Sequence, residues 1–227
     1  MAAYESLLSE IIPMVPSCTD TLIEQNIRAA VIELCEKSKV YQAELDPITT
    51  VKNLYEYDLE APSGTTVHEI IWVTYNGVDL EASTTALIEQ RKPKWRLEGY
   101  QGTPEYFVKQ SPSLFHLVPV PSATEIDSIL LRVVLKPTYK SSSCDDDVMN
   151  DYRDTIVNGA LYRLLRIPGR EWTDYPGAQV YGSLFLEGLA VAEGRALQKE
   201  TRVARKVRYG GAGGIYRITD TGYSKRR

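Results

Sequence analysis

The sequence predicts an α+β protein, in which a helical bundle formed by N- and C-terminal helices carries an inserted small antiparallel β domain and an extended C-terminal arm. Apolar residues recur with helical spacing near both ends of the chain, whereas in the middle they alternate with a period of two. Asn76-Gly77, a strong hairpin signal, lies in that middle stretch. The predicted segments are residues 1–45 for the first helices, 46–140 for the β domain, 141–204 for the last helices and 205–227 for the arm.

Two helices are predicted before residue 46. The first covers Ala3 to Ile12 and ends before Pro13, because proline disrupts a helix interior. The second starts after a cap at Ser17 or Thr19 and runs to about Lys39, with acidic residues in its first turn. Its apolar residues fall on one stripe, as in a helix that buries one face. The predicted stripe consists of Ile23, Ile27, Ala30, Val31, Leu34 and Cys35.

The middle of the chain predicts five or six short antiparallel strands, arranged as a small sandwich or barrel. The Asn76-Gly77 turn and the turn at Ser111-Pro112-Ser113 separate strands, and Thr84–Gln90 forms one or two helical turns. The predicted strands are Val51–Leu59, Glu69–Tyr75, Glu105–Gln110, Leu114–Val118 and Ser128–Lys136.

Two long helices are predicted after the β domain. One starts at Asp145-Asp146-Asp147, behind a cap at Ser143 or Cys144, and ends near Arg166 before Pro168-Gly169. The other runs from about Pro176 to Lys206. Small residues in both helices predict a close approach between them. These residues are Gly159, Ala160, Gly188 and Gly194. The predicted inward face of the last helix consists of Tyr181, Leu184, Phe185, Gly188, Leu189, Ala192 and Ala196.

The composition excludes several classes of protein. The chain has 227 residues, of which 43% are hydrophobic, so it has enough apolar material for a core and is not globally disordered. No apolar run approaches the length of a membrane span, and the first residues lack the pattern of a secretory signal. Three cysteines without a CxxC pair argue against a disulfide framework and favour a reducing cytoplasm.

Charge is distributed unevenly along the chain. Residues 195–227 carry ten basic and two acidic residues, a net charge of +8, whereas the preceding 194 residues carry −12. A basic, Gly-rich end on an acidic body fits a docking segment or a nucleic-acid-binding tail, and a solvated disordered end is the alternative. Apolar and aromatic residues alternate with small ones here, which favours an added strand on a partner. They are Tyr209, Ile215, Tyr216, Ile218 and Tyr223.

No catalytic or cofactor-binding motif stands out, so we expect no enzyme activity, no cofactor and no metal. The two histidines, His68 and His116, fall in predicted strands and are interpreted as structural residues, as is Cys35. The acidic run Asp145–Asp147 fits a helix N-terminus better than a divalent-metal site. The stretch Gly210–Gly214 lacks the lysine of a phosphate-binding loop and is interpreted as a flexible hinge.

Several segments, in order, resemble a known family. They include LIEQNIRAAVIELCEKSKVYQAELDPI, YDLEAPSGTTVHEIIWVTYNGVDL, WRLEGYQGTPEYFV, LFHLVPVP and LRVVLKP, followed by DDDVMNDYRDTIVNGALYRLLRIPGREWTDYPGAQVYGSLFLEGLAVAEGRA. Over roughly residues 15–200, this series is similar to the head-to-tail adaptor (connector) proteins of tailed bacteriophages, the group that includes tail tubular protein A. The landmarks are a helix ending in Cys-Glu-Lys-Ser, a Pro-Ser-Gly turn, the Val-Pro-Val-Pro segment and a Gly-Ala pair before Leu161.

The resemblance implies a virion structural protein. Such adaptors form a ring, usually of twelve copies, that joins the portal protein to the tail nozzle or tube. Double-stranded DNA passes through the lumen without sequence-specific binding, and the arm docks into the portal. We therefore expect a component of the virion neck, made in the host cytoplasm and not bound to a membrane. Two alternatives stay open: another phage neck or tail completion protein, and a nucleic-acid-binding accessory protein that uses the basic arm.

Three sets of residues follow from this expectation. The portal-docking arm would use Arg205, Lys206, Arg208, Tyr209, Ile215, Tyr216, Arg217, Ile218, Tyr223, Lys225, Arg226 and Arg227. Tyr and Arg are enriched at interfaces, so the candidates for contacts between subunits are Tyr152, Tyr162, Arg163, Tyr181 and Arg195. A channel that must not hold DNA phosphates favours acidic walls, so the channel-lining candidates are Asp145, Asp146, Asp147, Glu187 and Glu193.

Overall fold

This computed structural model describes residues 1–97 and 99–198, in which the chain forms six α-helices, two short 3-10 helices (Tyr4–Leu7 and Ile12–Met14) and thirteen strands. The helices are α1 (Leu8–Ile11), α2 (Asp20–Ser38), α3 (Thr85–Arg91), α4 (Asp146–Asp151), α5 (Arg153–Leu164) and α6 (Tyr175–Gln198). The strands are β1 (Ala2–Ala3), β2 (Gln42–Glu44), β3 (Ile48–Thr50), β4 (Glu56–Asp58), β5 (Thr65–Tyr75), β6 (Val78–Asp79), β7 (Glu81–Ala82), β8 (Gln101–Gly102), β9 (Tyr106–Ser111), β10 (Leu114–Val118), β11 (Val120–Pro121), β12 (Glu125–Pro137) and β13 (Ser143–Cys144).

The predicted fold class, a helical bundle with a small antiparallel β insertion, was wrong. Strands hold 28% and helices 40% of the described residues, and the strands form several sheets that constitute a major part of the fold. The pairing is also mixed, because β7 runs parallel to β9 and β8 parallel to β11. Most of these strands have only two or three residues. Such strands are too short for an alternating pattern to be recognised, so the sequence underestimates the β content.

The largest sheet of the β region, here called the frame, has five strands. Four of them follow the order β2-β12-β5-β6, and β3 pairs with β12 as the fifth. Its two central strands have 13 and 11 residues and pair antiparallel from Ile129 opposite Tyr75 to Pro137 opposite Thr65. The predicted hairpin at Asn76-Gly77 is confirmed. Both residues have positive φ, 50° and 78°, which a two-residue turn between twisted strands requires.

A second sheet, in the order β4-β10-β9-β7, shares a buried core with the frame. Phe115 and Leu117 of β10 meet Val73 of β5 and Val133 of β12 in that core, and all four are fully buried. A smaller cluster lies under α3 and the loop that follows it. It consists of Ile88, Trp95, Val108, Val118 and Val120.

The helices meet in one core, where α2, α5 and α6 pack on one another. The predicted second helix is confirmed with a shift of about one residue, because α2 covers Asp20–Ser38. The predicted helix from Asp145 to Arg166 is two helices, α4 and α5, which join at Tyr152. At Gly159 of α5, an added Cβ would lie 2.7 Å from the Phe185 ring and 2.9 Å from the Ala30 Cβ, so this glycine sets the spacing of three helices.

The helical region and the β region are joined by polar and apolar contacts. Glu36 of α2 forms an ion pair with Lys136 of β12, with 2.5 Å between the carboxylate oxygen and the ammonium nitrogen. The Lys39 ammonium lies 2.5 Å from the Glu69 carboxylate of β5. Tyr41 packs against both cores. Within the described residues, none of the helices is long and apolar enough to cross a membrane.

Candidate assembly interface

Helix α6 lies along one side of the helical core and buries a single stripe. The buried residues recur every three or four positions and include three small ones, which let α6 approach α5. At Gly182, a Cβ would lie 2.8 Å from the Tyr162 ring, so the backbones pack closely there. The buried stripe consists of Ala178, Gly182, Phe185, Leu189 and Ala192.

Two further rows of apolar side chains on α6 point away from this core. Flank A consists of Val180, Leu184 and Val191, which are 59%, 43% and 52% exposed. Flank B consists of Tyr175, Leu186 and Leu197, which are 53%, 60% and 59% exposed. At 3.6 residues per turn, the centres of the two flanks lie about 140° apart around the helix. One exposed acidic residue, Glu187, lies between the flanks, on the side opposite the buried Ala178.

This distribution is unusual for a helix at a protein–water boundary. A surface helix normally exposes charged and polar residues opposite its buried stripe, whereas α6 exposes six large apolar or aromatic side chains. Contiguous exposed apolar surface marks a site of interaction with another molecule. The arrangement on α6 therefore leaves two rows of apolar side chains exposed, one on each side of the same helix.

The five predicted subunit-interface residues lie near α6, but most of them contact other parts of the same chain. Tyr152 is 8% exposed, and the Arg195 guanidinium lies 5.9 Å from the centre of its ring. Arg163 forms an ion pair with Glu33 and donates a 3.0 Å hydrogen bond to the Gly159 carbonyl oxygen. Tyr162 accepts a 2.7 Å hydrogen bond from Arg166 Nη1, and Tyr181 is half-buried. Their role between subunits stays a prediction.

The acidic residues predicted to line a channel fall into two groups. Asp145, Asp146 and Asp147 lie at the start of α4, where the Asp145 carboxylate accepts a 3.0 Å hydrogen bond from the Asp147 backbone nitrogen and caps the helix. Glu187 and Glu193 are exposed on α6. Of the five, Glu187 is the residue that lies between the two apolar flanks.

The predicted docking arm, Arg205 to Arg227, lies outside the described residues, as do the predicted hinge at Gly210–Gly214 and the last turns predicted for the final helix.

The side chains considered for chemistry have structural surroundings. His116 is buried, with Nε2 3.2 Å from the Glu56 carboxylate, and burial together with the nearby Lys136 lowers the pKa of His68. Contact with the Cys144 sulfur, together with burial, raises the pKa of Cys35 well above its usual value, as for a core thiol. In the part of the chain that the structure describes, no three His, Cys, Asp or Glu residues come together in a way that could hold a metal ion.

The sequence interpretation missed the flank residues. Leu184 was predicted to face inward with Phe185, but adjacent helical residues point about 100° apart, and only Phe185 is buried. One signal was available in the sequence: α6 contains more large apolar residues than a single stripe can bury.

The comparisons with known proteins agree with a structural role. A protein-family model described as SU10 adaptor protein matches residues 3–209, which is most of the chain. No curated protein matches it. The matched family is one of structural phage proteins and not of enzymes. The chain therefore belongs to the SU10 adaptor protein family and is a head-to-tail adaptor of a bacteriophage virion.

Proposed function

We propose that this adaptor forms a closed ring, of about twelve copies, in which neighbouring subunits meet along α6. The observation that carries the proposal is the pair of exposed apolar flanks on one helix. In a ring built by head-to-tail contacts, each copy needs two different surfaces, one for the neighbour on each side. Flank A and flank B are two such surfaces, and they point in different directions from the same rigid element.

The same geometry supports a position for the DNA channel. If each flank contacts a neighbour, the surface between the flanks is left free, and Glu187 lies there. A ring of carboxylates repels DNA phosphates, so it lets DNA pass without the salt-dependent affinity that basic side chains would add. Glu187 is therefore the strongest channel-lining candidate, whereas Asp145 and Asp146 already bind groups of their own chain.

The arm is proposed to dock the ring onto the portal. It lies beyond the C-terminal end of α6 in sequence and carries seven basic residues and one acidic residue, a net charge of +6, on an otherwise acidic chain. Complementary charge steers two proteins together, and alternating Tyr and Ile residues suit an extended segment that adds to a partner. The remaining surfaces of the ring would then receive the tail nozzle or tube.

Native mass spectrometry of the chain mixed with the portal ring of the same phage tests this function. The wild-type chain is expected to give a complex with a ring's number of adaptor copies. Deletion of residues 205–227 is expected to leave a folded body that no longer binds the portal, because residues between Tyr4 and Ala192 already form the helical and β cores of the described chain.

The outcomes separate the proposal from its alternatives. Failure of the intact chain to bind a correctly assembled portal would contradict the ring-to-portal role and favour a tail completion protein. Binding to duplex DNA that falls steeply with salt, and that is lost with residues 205–227, would favour the nucleic-acid-binding role instead.

A further inference from the structure

A second candidate site lies in the β region, where several Lys and Arg residues are close together in sequence. Four of the six residues from Arg91 to Arg96, here called the basic loop, are Lys or Arg. The loop begins at the last residue of α3 and leads toward β8. Residues 1–194 carry a net charge of −12. Local positive charge on an acidic body favours an anionic partner at that place.

The basic loop borders a cavity of about 590 Å³, here called the loop cavity. This is within the range of pockets that take a small ligand or a few peptide side chains. Its walls combine cations with aromatic and amide groups, namely Arg91, Lys92, Lys94, Trp95, Tyr100 and Gln101. Trp95 is 2% exposed and belongs to the small apolar cluster below α3, so it anchors the loop.

The cations of the loop differ in their surroundings. Lys92 lies 2.9 Å from the Glu105 carboxylate, and Arg96 lies 3.2 Å from that of Glu89. Both pairs are largely exposed and therefore weak. Among the residues that the structure describes, no carboxylate pairs with Arg91 or Lys94. These two side chains border the cavity and place positive charge on its walls.

A buried donor at the same place also lacks a partner. The indole Nε1–H of Trp95 is buried and has no acceptor within the described residues. A buried polar group without a hydrogen bond is unfavourable, and in folded proteins most such groups are satisfied by protein, water or ligand. Trp95 also lines the cavity, so its indole signal reports on a ligand bound there.

The shape of the site favours an acidic peptide over a nucleic acid. DNA binding requires a stripe of cations that follows many phosphates, whereas here the unpaired cations border one cavity and Glu89 and Glu105 lie beside it. Strand β8, which contributes Gln101, pairs with β11 on one side, and within the described residues no strand occupies its other side. An extended peptide binds an open strand edge through its backbone.

We propose that the loop cavity binds an acidic, extended segment of a partner protein. A carboxylate of that segment is held by Arg91 and Lys94, its apolar side chains contact Tyr100, and its backbone pairs along β8. The cavity shares no residue with the flanks of α6, so this proposal stands whether or not the ring proposal is correct.

Nuclear magnetic resonance of the ¹⁵N-labelled chain tests this site, because three tryptophans give three indole signals. The probe is the blocked hexapeptide EVDVEV, which alternates acidic and β-branched residues, and its uncharged control is QVNVQV. Trp95→Phe identifies the Trp95 signal. We expect EVDVEV to shift this signal but not that of Trp172, whose buried Nε1 also lacks a partner in the described residues but lies outside the cavity.

The Kd for EVDVEV in charge variants distinguishes binding at this cavity from nonspecific attraction to any basic residue. The double variant Arg91→Gln/Lys94→Gln is expected to raise the Kd for EVDVEV by about tenfold or more, as for loss of charged hydrogen bonds. Lys52→Gln, an exposed lysine outside the cavity, is the matched control and is expected to leave the Kd unchanged. Equal binding of QVNVQV, an unmoved Trp95 signal, or tighter binding of a 12-base-pair duplex would each overturn the proposal.

Discussion

Helices α2 and α6 are the two longest helices of the described chain, and they differ in how many of their large apolar residues are exposed. None of the large hydrophobic residues of α2 is exposed, and its stripe from Ile23 to Cys35 is buried. Its outer face is polar, and there Glu33 forms ion pairs with Lys37 and Arg163. Helix α6 buries one stripe and leaves six large side chains in contact with water.

The difference indicates that contacts within the monomer cover the apolar residues of α2 but not all of those of α6. The surroundings of α2 satisfy both its apolar and its charged residues, so its sequence is explained by the fold of the monomer. The flank side chains of α6 stay 43–60% exposed within the monomer, whereas fully burying a Val or Leu side chain is worth about 1.5–3 kcal/mol. A partner that covers the flanks would explain their apolar character, and the proposed ring provides one.

The largest effect is expected from a charge in the stripe of α2. Ile27 is fully buried, so Ile27→Asp places an unpaired carboxylate in the helical core and is expected to cost about 4 kcal/mol or more, enough to unfold a marginal domain. Gln25→Asp adds the same charge at an exposed position of the same helix and is expected to cost less than about 0.5 kcal/mol. Urea denaturation followed by circular dichroism measures both. A cooperatively folded Ile27→Asp protein would show that this face of α2 is misassigned.

A smaller loss of stability is expected where α2, α5 and α6 meet. Gly159→Ala places a methyl group 2.7 Å from the buried Phe185 ring, and the resulting overpacking is expected to cost about 1–3 kcal/mol. The control is Gly194→Ala on α6, where the added Cβ has open space and a gain of up to about 1 kcal/mol is expected from helix propensity. Thermal unfolding compares the two, and equal effects would mean that the contact at Gly159 is looser than described.

The ion pairs of Glu33 predict that this residue contributes to the stability of the fold in a pH-dependent way. Burial tends to raise the pKa of Glu33, but its contacts with Lys37 and Arg163 outweigh burial and hold the pKa below its usual value. A carboxylate with a depressed folded-state pKa stabilises the fold above its unfolded pKa, about 4.3, and this stability is lost as the pH falls through the folded-state value.

Glu33→Gln is therefore expected to cost about 1–2 kcal/mol at pH 7, and the difference from wild type is expected to shrink as the pH falls below about 4. Urea titrations between pH 7 and pH 3 measure this difference. Glu24→Gln, on the same helix, is the control and is expected to change stability by less than about 0.5 kcal/mol. A difference for Glu33→Gln that stays constant with pH would show that its charge is not the source of the stability.

The smallest effect on the monomer is expected on flank A. Leu184→Ser and Val191→Ser replace half-exposed side chains, so each is expected to lower the free energy of unfolding by about 1 kcal/mol or less. The same variants are expected to weaken assembly on the portal, because they remove the apolar area that the neighbour would bury. Native mass spectrometry counts the bound copies. A large loss of monomer stability without any change in assembly would contradict the assignment of this flank.

The long periodic elements could be predicted from the sequence, whereas the short ones could not. Helix α2, strand β10 and the Asn76-Gly77 hairpin follow the predicted positions closely, because each is set by a local pattern. The parallel pairs β7–β9 and β8–β11 join short strands that are distant in sequence, and no local pattern encodes them. This is why the size and the pairing of the β region were misjudged.

The candidate interface was predicted only in part. The sequence placed two of its five interface candidates, Tyr181 and Arg195, on the last helix, and it selected these candidates by residue type as aromatic or basic. Glu187 was one of five channel-lining candidates. In the structure, Tyr152 and Arg163 make contacts within the chain, whereas Leu184 and Leu186 are exposed. The packing of α2 and α5 against α6 decides which apolar residues of α6 stay exposed. This packing is tertiary structure, which a local sequence pattern does not encode.

Photo-crosslinking on the portal-bound complex tests the central claim, that α6 mediates contact between neighbouring copies. A benzoylphenylalanine is placed at Leu184, and the control carries it at Gln25 on the polar face of α2. If each copy contacts the next through flank A, one label per chain gives a ladder of covalent adaptor multimers at position 184 and none at position 25. Crosslinks from position 184 to the portal alone, a single dimer band, or no crosslink would contradict the account.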